Sequence, residues 1–491
     1  MLSARVREQL RGTLNLREWG RWWQDRSELH PLAVGACILL PFVIATAVYL
    51  PFLRQWFVSD DFIWLHAAAN PDVPGFLKDA LNPRGPTPYW RPLTDIYFFC
   101  MYRVFSLHTA PYHVANLLIH GTVAAGTVLF VRRLSRSLVT GLLAGVLFAV
   151  SPAYGIAVSW VSSVTELMST LLALATVLLY LKFLDDDNRS VLALAACTFV
   201  AASLVHEGAA AVPAILTVLG LAIRAPQDRA ELKRLALTLL PFIGVGSLYA
   251  VAQVARLYVG SHRDYLAGNL GHVLDRLLHQ LRWVSLPLSP SHGTWLDVAQ
   301  WTLLLVLALV ACLYLFRRSW EQPALFACIV FALLPSSVLT FAFDPRWTYF
   351  SVVFWAAFAA MLIASIVRWL WSYNGVAGVA VLGVFLAGVG SVLIPETRDN
   401  QRPLVAAAAQ MEQLSRAIRT GCPALGPGKT AYIRSLPFTD PGNTVPPLIG
   451  LLGRGTLVIT GDAASEQPAA GDCVIEWSAE MFQATEVSGG P

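Results

Sequence analysis

Long apolar runs separated by short polar breaks are the feature that most constrains how this chain can fold. Apolar residues make up 56% of the 491 positions and charged residues only 13%, which is a membrane composition. Crossing the ~30 Å hydrocarbon core of a bilayer takes roughly 20 apolar residues in a helix, because the backbone must satisfy its own hydrogen bonds there. The run from Pro31 to Leu53 meets that requirement.

Further runs of the same kind follow along the chain. We therefore predict an all-α polytopic membrane protein with about eleven transmembrane helices. The predicted spans are residues 31–53, 111–131, 137–156, 163–183, 189–205, 207–223, 235–258, 297–316, 322–342, 347–369 and 374–394. Only His206-Glu207-Gly208 interrupts the apolar residues between 189 and 223, so one long tilted helix with a re-entrant piece is an alternative to two short spans there.

The positions of the basic residues predict the orientation. If segment 1–30 is cytoplasmic, the short cytoplasmic loops hold most of the loop arginines and lysines, as the positive-inside rule requires. The net charge of +4 then reflects topology, and no nucleic acid is expected as a partner. No small-residue cleavage site follows the first apolar run, so we expect that run to be a retained anchor.

Two outer loops, residues 54–110 and 259–296, are too long to be simple turns, and long loops in compact proteins are usually functional. The first loop contains candidate interfacial helices around Asp61–Ala68 and Leu93–Leu107. The second contains an amphipathic stretch that we expect to lie flat at the bilayer surface. Its predicted apolar face consists of Val273, Leu274, Leu277, Leu278 and Leu281.

Residues 395–491 have the composition of a small soluble domain, which we expect outside the membrane as an α/β or α+β cap. Its pattern predicts one helix and three strands, and Cys422 and Cys473 could form a disulfide if the domain faces an oxidising compartment. The predicted elements are a helix at Leu404–Ile418 and strands at Thr430–Ser435, Thr456–Thr460 and Val474–Trp477.

The adjacent acids Asp60 and Asp61 stand at the outer end of the first span. Two ionised carboxylates so close repel each other, so one has a raised pKa unless a cation or hydrogen bonds compensate. A general base and a metal ligand are both compatible with that pattern. A helix cap at Asp60 is equally compatible.

Other polar residues near the outer ends of spans are candidates for substrate contacts. His113, Asn116 and His120 share one helical face, where hydrogen bonding between helices is the favoured interpretation over a metal or substrate site. Arginine suits a phosphate because its guanidinium is planar and permanently charged. The candidates for substrate binding are Arg91, His113, Glu166, His206, Glu207, Arg263, Arg346 and Tyr349.

The order of these motifs resembles the C-type superfamily of membrane glycosyltransferases, which use lipid-phosphate-linked sugars, and in particular a bacterial branch related to protein O-mannosyltransferases. The resemblance spans most of residues 31–394. It rests on Asp60-Asp61-Phe62, Trp90-Arg91-Pro92-Leu93-Thr94-Asp95, Tyr112-His113-Val114-Ala115-Asn116-Leu117-Leu118-Ile119-His120 and Arg346-Trp347-Thr348-Tyr349. The chain departs from the family pattern at Ser162-Ser163, where relatives often have Gly-Arg, and at His206-Glu207, which replaces Lys-Glu.

The resemblance implies an inverting single displacement at the outer face of a bacterial inner membrane. An aspartate, Asp61 slightly preferred over Asp60, would take the proton of an acceptor hydroxyl, and arginines would neutralise the departing polyprenyl phosphate. The expected partners are a polyprenyl-phosphate sugar, membrane lipid and an acceptor glycan, lipid or protein. A divalent metal is a possible cofactor. The alternatives are a transporter or flippase of lipid-linked sugars and a non-catalytic relative whose outer domain binds a partner.

Overall fold

The structure is a computed structural model. It describes residues 31–84, 89–259, 263–266, 269–288, 293–316, 319–423, 425, 429–433, 441–452, 456–459, 470, 472–478 and 481–487. The predicted cytoplasmic segment 1–30 lies outside the described residues.

Apolar helices dominate the described part of the chain. Eight of them are long and apolar enough to cross a membrane, and three shorter apolar helices accompany them. The prediction of an all-α polytopic membrane protein is confirmed. The apolar helices, in chain order, are α1 (Pro31–Tyr49), α5 (Thr109–Ser135), α6 (Leu138–Ala149), α7 (Val164–Asp186), α8 (Arg189–Val205), α9 (Val212–Arg224), α10 (Arg229–Val259), α12 (Trp295–Phe316), α13 (Glu321–Ser337), α14 (Tyr349–Tyr373) and α15 (Gly375–Gly388).

The chain between α8 and α9 breaks at His206, as the two-span interpretation predicts. His206 adopts an extended conformation, and its Nδ1 accepts a hydrogen bond from the backbone N–H of Gly208 at 3.0 Å. A short 3-10 helix, Glu207–Ala211, then leads into α9. The break exposes polar groups between two packed helices, which makes it a natural place for a site.

The first long loop folds into three short helices: α2 (Asp61–Ala68), α3 (Val73–Leu81) and α4 (Pro92–Phe105). The helices predicted around Asp61–Ala68 and Leu93–Leu107 are confirmed, whereas α3 was not predicted.

The second long loop contains α11 (Leu270–Ser285), which packs against α13 and α12. The predicted apolar face is correct only in part. Leu277 and Leu281 pack into the core, but Leu274 and Leu278 are exposed. The helix is rotated because Gln280 is fully buried and finds hydroxyl partners on α13, namely Ser336 and Ser337, both at 3.1 Å.

Beyond the spans, a π-helical turn (Val389–Leu393) leads to α16 (Ile394–Asp399) and α17 (Arg402–Gly421). A four-stranded sheet follows in the order β2-β1-β3-β4, in which β1 pairs in parallel with β2 and β3 while β3 and β4 are antiparallel. Its strands are β1 (Thr430–Ile433), β2 (Thr456–Ile459), β3 (Cys473–Ser478) and β4 (Met481–Glu486), with α18 (Pro441–Leu451) between β1 and β2. The three predicted strands and the predicted helix are present, whereas α18 and β4 were missed.

The C-terminal domain packs directly on the first long loop. Helix α18 lies against α2, and Leu448 and Ile449 belong to the same buried cluster as Phe62 and Leu65. A disulfide joins Cys422 at the end of α17 to Cys473 in β3, within that cluster. We call this end of the helices, covered by α2–α4 and the C-terminal domain, the capped end.

Candidate active site

A buried, irregular segment, residues 150–163, forms the floor of the capped end. Non-helical backbone inside a membrane protein is stable only when its polar groups find partners, and here side chains from distant elements supply them. The carbonyl of Ala153 accepts from Thr348 Oγ1 at 2.9 Å and from Trp283 Nε1 at 2.7 Å. Asn116 Nδ2 donates to the carbonyl of Trp160 at 2.8 Å. The segment is therefore a fixed platform for the residues that follow.

Asp61, the first residue of α2, is anchored to this platform. Its side chain is buried, and Oδ1 accepts from both the backbone N–H of Ser162, at 2.7 Å, and the Ser162 hydroxyl, at 2.5 Å. Oδ2 accepts from the backbone N–H of Val58 at 2.9 Å. Burial raises the pKa of Asp61 to about 7, although these hydrogen bonds lower it in part. Both carboxylate oxygens thus have partners within the protein.

Asp60 differs from its neighbour in its burial and in its hydrogen bonds. It is half-buried and stands at the N-cap position of α2, but its side chain accepts no capping hydrogen bond. The cap interpretation of Asp60 is therefore not supported by the geometry. The Ser59 hydroxyl donates to Asp60 Oδ1 at 3.3 Å, and Ser59 itself has a positive φ of 45°, a strained conformation for a residue with a side chain.

The charge of Asp60 faces the loop before α14. Burial raises the pKa of Asp344 in that loop; Arg346 lowers it, and the negative charges of Glu166 and Asp60 raise it. Asp60 is thus near enough to the Asp344–Arg346 turn to influence it electrostatically. The sequence separates these residues by more than 280 positions.

Arg346 lies at the centre of the site. Its Nε is 2.7 Å from Asp344 Oδ2 and 3.6 Å from Glu166 Oε1, and its guanidinium lies 4.2 Å from the ring centre of Trp160. Both ionic contacts use Nε. A planar cation held on one edge by two carboxylates and on one face by an indole has a fixed orientation.

A second arginine, Arg91, is bound differently. Its Nε and Nη2 donate to the two carboxylate oxygens of Glu207 at 3.0 and 2.6 Å, in a bidentate ion pair. Its guanidinium also lies 4.5 Å from the ring centre of Tyr89. The preceding residue, Trp90, is fixed to α10 by two hydrogen bonds with the Gln253 side chain, at 3.1 and 3.0 Å. Arg91 is therefore part of the scaffold on which the site rests.

His206 connects the two arginine clusters. Its Nε2 lies 3.5 Å from Glu207 and 3.9 Å from Glu166. Burial lowers the pKa of His206, the carboxylates of Glu207 and Glu166 raise it, and Arg91 and Arg346 lower it. The result is a continuous series of charged and polar groups between the first long loop, the α8–α9 break and the turn before α14.

A narrow cleft with a volume of about 40 Å³ lies beside this series, between α7, α13 and α14. It combines charged groups at one end with apolar and hydroxyl side chains along the helices. Its lining includes five of the predicted site residues, Glu166, His206, Glu207, Arg346 and Tyr349.

The remaining predicted residues lie elsewhere or serve other contacts. His113 Nε2 contacts the carbonyl of Gln55 at 3.0 Å, and His120 lies between Tyr349 OH, at 2.8 Å, and the carbonyl of Ala149, at 3.2 Å. The contacts of His120 join helices, as predicted, whereas His113 bonds to the loop that follows the first span. The side chain of Arg263 lies outside the described residues.

Two residues of the site were not predicted. Trp160 and Asp344 both contact Arg346, yet nothing in the local sequence pattern assigns them to it. The signal that could have found them is their position, because each precedes a predicted span at the same end of the helices as the other candidate site residues.

The described residues contain no group of three or more His, Cys, Asp or Glu side chains placed to hold a metal ion. We assign no metal ligand.

No protein-family model matches the chain, and no curated protein matches it. Among solved structures, it is similar to ArnT from Cupriavidus metallidurans in the apo state, with 12% identity, a TM-score of 0.49, and coverage of 90% of this chain and 93% of that one. The structure of ArnT from the same organism bound to undecaprenyl phosphate is 13% identical, with a TM-score of 0.47 and coverage of 87% of this chain and 86% of that one. An Archaeoglobus fulgidus oligosaccharyltransferase tethered to an acceptor peptide is 14% identical, with a TM-score of 0.49 and coverage of 86% of this chain and 63% of that one.

The chemistry of the site follows from its own residues.

Proposed function

We propose that this protein is a membrane glycosyltransferase, which moves a sugar from a polyprenyl-phosphate donor to an acceptor hydroxyl at the outer face of a bacterial inner membrane. One observation carries the proposal: the half-buried Asp60 is close enough to Arg346 for its negative charge to act on it, and Arg346 lines a cleft that continues between apolar helices. A base beside a cation, at the mouth of an apolar cleft, suits a lipid phosphate donor and a polar acceptor.

In this proposal Asp60 is the general base and Asp61 is a positioning residue. A base needs a free carboxylate oxygen within hydrogen-bond reach of the acceptor hydroxyl. Asp61 uses both oxygens on Ser162 and Val58, whereas among the described residues Asp60 accepts a side-chain hydrogen bond only from Ser59, at 3.3 Å. This assignment reverses the slight preference for Asp61 in the sequence analysis, because burial and long-range partners separate the two acids.

Arg346 is the residue that we assign to the donor phosphate. Its closest contacts to Asp344 and Glu166 are at Nε, and we assign its terminal Nη groups to the ligand. Stabilising the charge that develops on the leaving phosphate is the main help such a donor needs. Arg91, in contrast, donates from Nε and Nη2, one edge of its guanidinium, to both carboxylate oxygens of Glu207 and acts through the scaffold.

The reaction follows from these positions. As the acceptor oxygen attacks the anomeric carbon, Asp60 takes its proton, and the bond from that carbon to the phosphate oxygen breaks with the electron pair on the phosphate. A single displacement inverts the configuration at the carbon. Arg346 stabilises the polyprenyl phosphate that departs.

The test is transfer from a radiolabelled polyprenyl-phosphate sugar in membranes that contain the wild-type protein or a variant. General bases contribute about 10²- to 10⁴-fold, so Asp60→Asn is expected to lose at least about a hundredfold in rate. Asp79→Asn is the matched control, because Asp79 is exposed on α3 in the same loop. Undiminished transfer by Asp60→Asn contradicts the base assignment. Label that crosses the bilayer without joining an acceptor identifies the protein as a transporter instead.

A further inference from the structure

A second cavity lies at the capped end, outside the cleft beside Arg346. It lies between the first long loop and α17 and has a volume of about 440 Å³. This falls within the ~300–1,000 Å³ typical of small-molecule sites. The loop supplies Trp56 and residues 106–108, and α17 supplies Glu412, Ser415, Arg416 and Arg419.

The loop wall of this cavity is a fixed aromatic surface. The Trp56 ring is packed against Phe62, with ring centres 5.5 Å apart, and against Phe57 at 6.2 Å. Both phenylalanines are fully buried, whereas Trp56 is half-buried. An indole held in this way presents an amphipathic surface to a ligand at little cost in conformational entropy.

The helix wall is basic and rich in hydrogen-bonding groups. Two guanidinium groups, Arg416 and Arg419, face a single carboxylate, Glu412, which pairs with Arg416 one turn away. Ser415 and His108 add further polar groups. Guanidinium groups bind carboxylates and phosphates through parallel hydrogen bonds, so the excess of arginine favours an anionic ligand.

The cavity is close to the proposed base along the chain. Trp56 and Asp60 are four residues apart, so their Cα atoms are separated by at most about 14 Å even in a fully extended chain. Trp56 also contacts Phe62, two residues beyond Asp60. A ligand of a few sugar units resting on Trp56 has its end within reach of Asp60.

We infer that this cavity binds the acceptor, and that the acceptor is an acidic saccharide: its acid group pairs with Arg416 and Arg419 while a sugar face stacks on Trp56. That the ligand is the acceptor rests on the proposed function, but binding of an acidic saccharide in this cavity can be measured without any transfer reaction. It gives α17 a direct role in the site.

The experiment measures binding of a trisaccharide of galacturonic acid to the purified full-length protein by calorimetry, without donor. Arg416→Gln and Arg419→Gln are each expected to weaken binding about tenfold, the loss of one charge-assisted hydrogen bond. Arg402→Gln on the same helix, exposed and paired with Asp399, is the matched control and should bind like the wild type. Both cavity arginines are exposed, so these variants should fold.

Three outcomes overturn the inference. The first is equal binding by the wild type and both cavity variants. The second is equally tight binding of a neutral trisaccharide such as maltotriose, which would show that the cavity does not select for an acid group. The third is displacement of the trisaccharide by an equal concentration of inorganic phosphate, which reduces the cavity to an anion site. Binding retained by a protein that fails the transfer assay would sink the proposed function but leave this site standing.

Discussion

Asp61 and Ser162, 101 residues apart in the sequence, share two hydrogen bonds in which the Ser162 backbone N–H and hydroxyl both donate to one carboxylate oxygen. This contact fixes the start of α2, and therefore Asp60, against the buried segment 150–163. It also explains the Ser162-Ser163 departure from the family pattern in structural terms, because Ser162 supplies a hydroxyl that glycine lacks.

The buried Asp61 makes the stability of the protein depend on pH. Its pKa is raised from 3.8 to about 7, mainly by burial, so the folded protein holds this proton to a higher pH than the unfolded chain does. The free energy of unfolding therefore falls as pH rises from about 4 through about 7. Asp61→Asn does not titrate, and we expect a shallower decline in Tm over that range.

The measurement is thermal unfolding in detergent at a series of pH values, with Asp79→Asn as the control that keeps the wild-type slope. Asp95, whose pKa burial also raises to about 7, leaves part of the slope in place, so Asp95→Asn should flatten it as well. Parallel pH curves for Asp61→Asn and the wild type would contradict the prediction.

The Arg91–Glu207 pair should show the energetics of a buried ion pair. Arg91→Ala leaves Glu207 buried without its cation, which typically costs about 3–5 kcal/mol, so a clear drop in Tm is expected. The double variant Arg91→Ala/Glu207→Ala removes both charges and should regain much of that loss. Lys182→Ala, which breaks an exposed pair with Asp186, should change Tm little. Additive losses in the double variant would show that the pair is not coupled.

Tyr349 lines the cleft but donates or accepts a hydrogen bond with His120 Nδ1 at 2.8 Å. Tyr349→Phe keeps the ring and removes only the hydroxyl. If the hydroxyl serves His120, stability falls by about 1 kcal/mol while the transfer rate stays close to wild type. Unchanged Tm with a strongly reduced rate would instead place the hydroxyl on the substrate, as the sequence analysis proposed.

Helix α18 should control the position of α2 through Gly450. A Cβ at Gly450 would lie 2.4 Å from Cε1 of the exposed His66, so Gly450→Ala requires the imidazole to rotate away or one helix to shift from the other. We expect slower transfer in this variant and recovery in Gly450→Ala/His66→Ala, where the imidazole is gone. Gly383→Ala, where nothing lies within 4 Å, is the control. Failure of the second substitution to restore any activity would argue against this steric coupling.

The sequence by itself determined the spans, because hydropathy over about 20 residues is a local property and every predicted span has a helix in the structure. It also determined the short helix Asp61–Ala68, since an acidic residue in the first turn followed by mostly apolar residues is a local pattern that predicts a helix. Helix α18 was missed because Pro446 and Pro447 lie inside it, which local propensity reads as a break.

Only the tertiary structure decided which polar residues meet. Asp60 and Asp61 are indistinguishable in sequence, but Ser162 hydrogen-bonds to Asp61, whereas the charge of Asp60 acts on the Asp344–Arg346 turn. Likewise the two arginines differ because Arg91 forms a bidentate pair with Glu207 through Nε and Nη2, whereas Arg346 makes its closest contacts to Asp344 and Glu166 through Nε. Partners such as Ser162 for Asp61 and Glu207 for Arg91 come from segments a hundred or more residues away, so no local pattern encodes them.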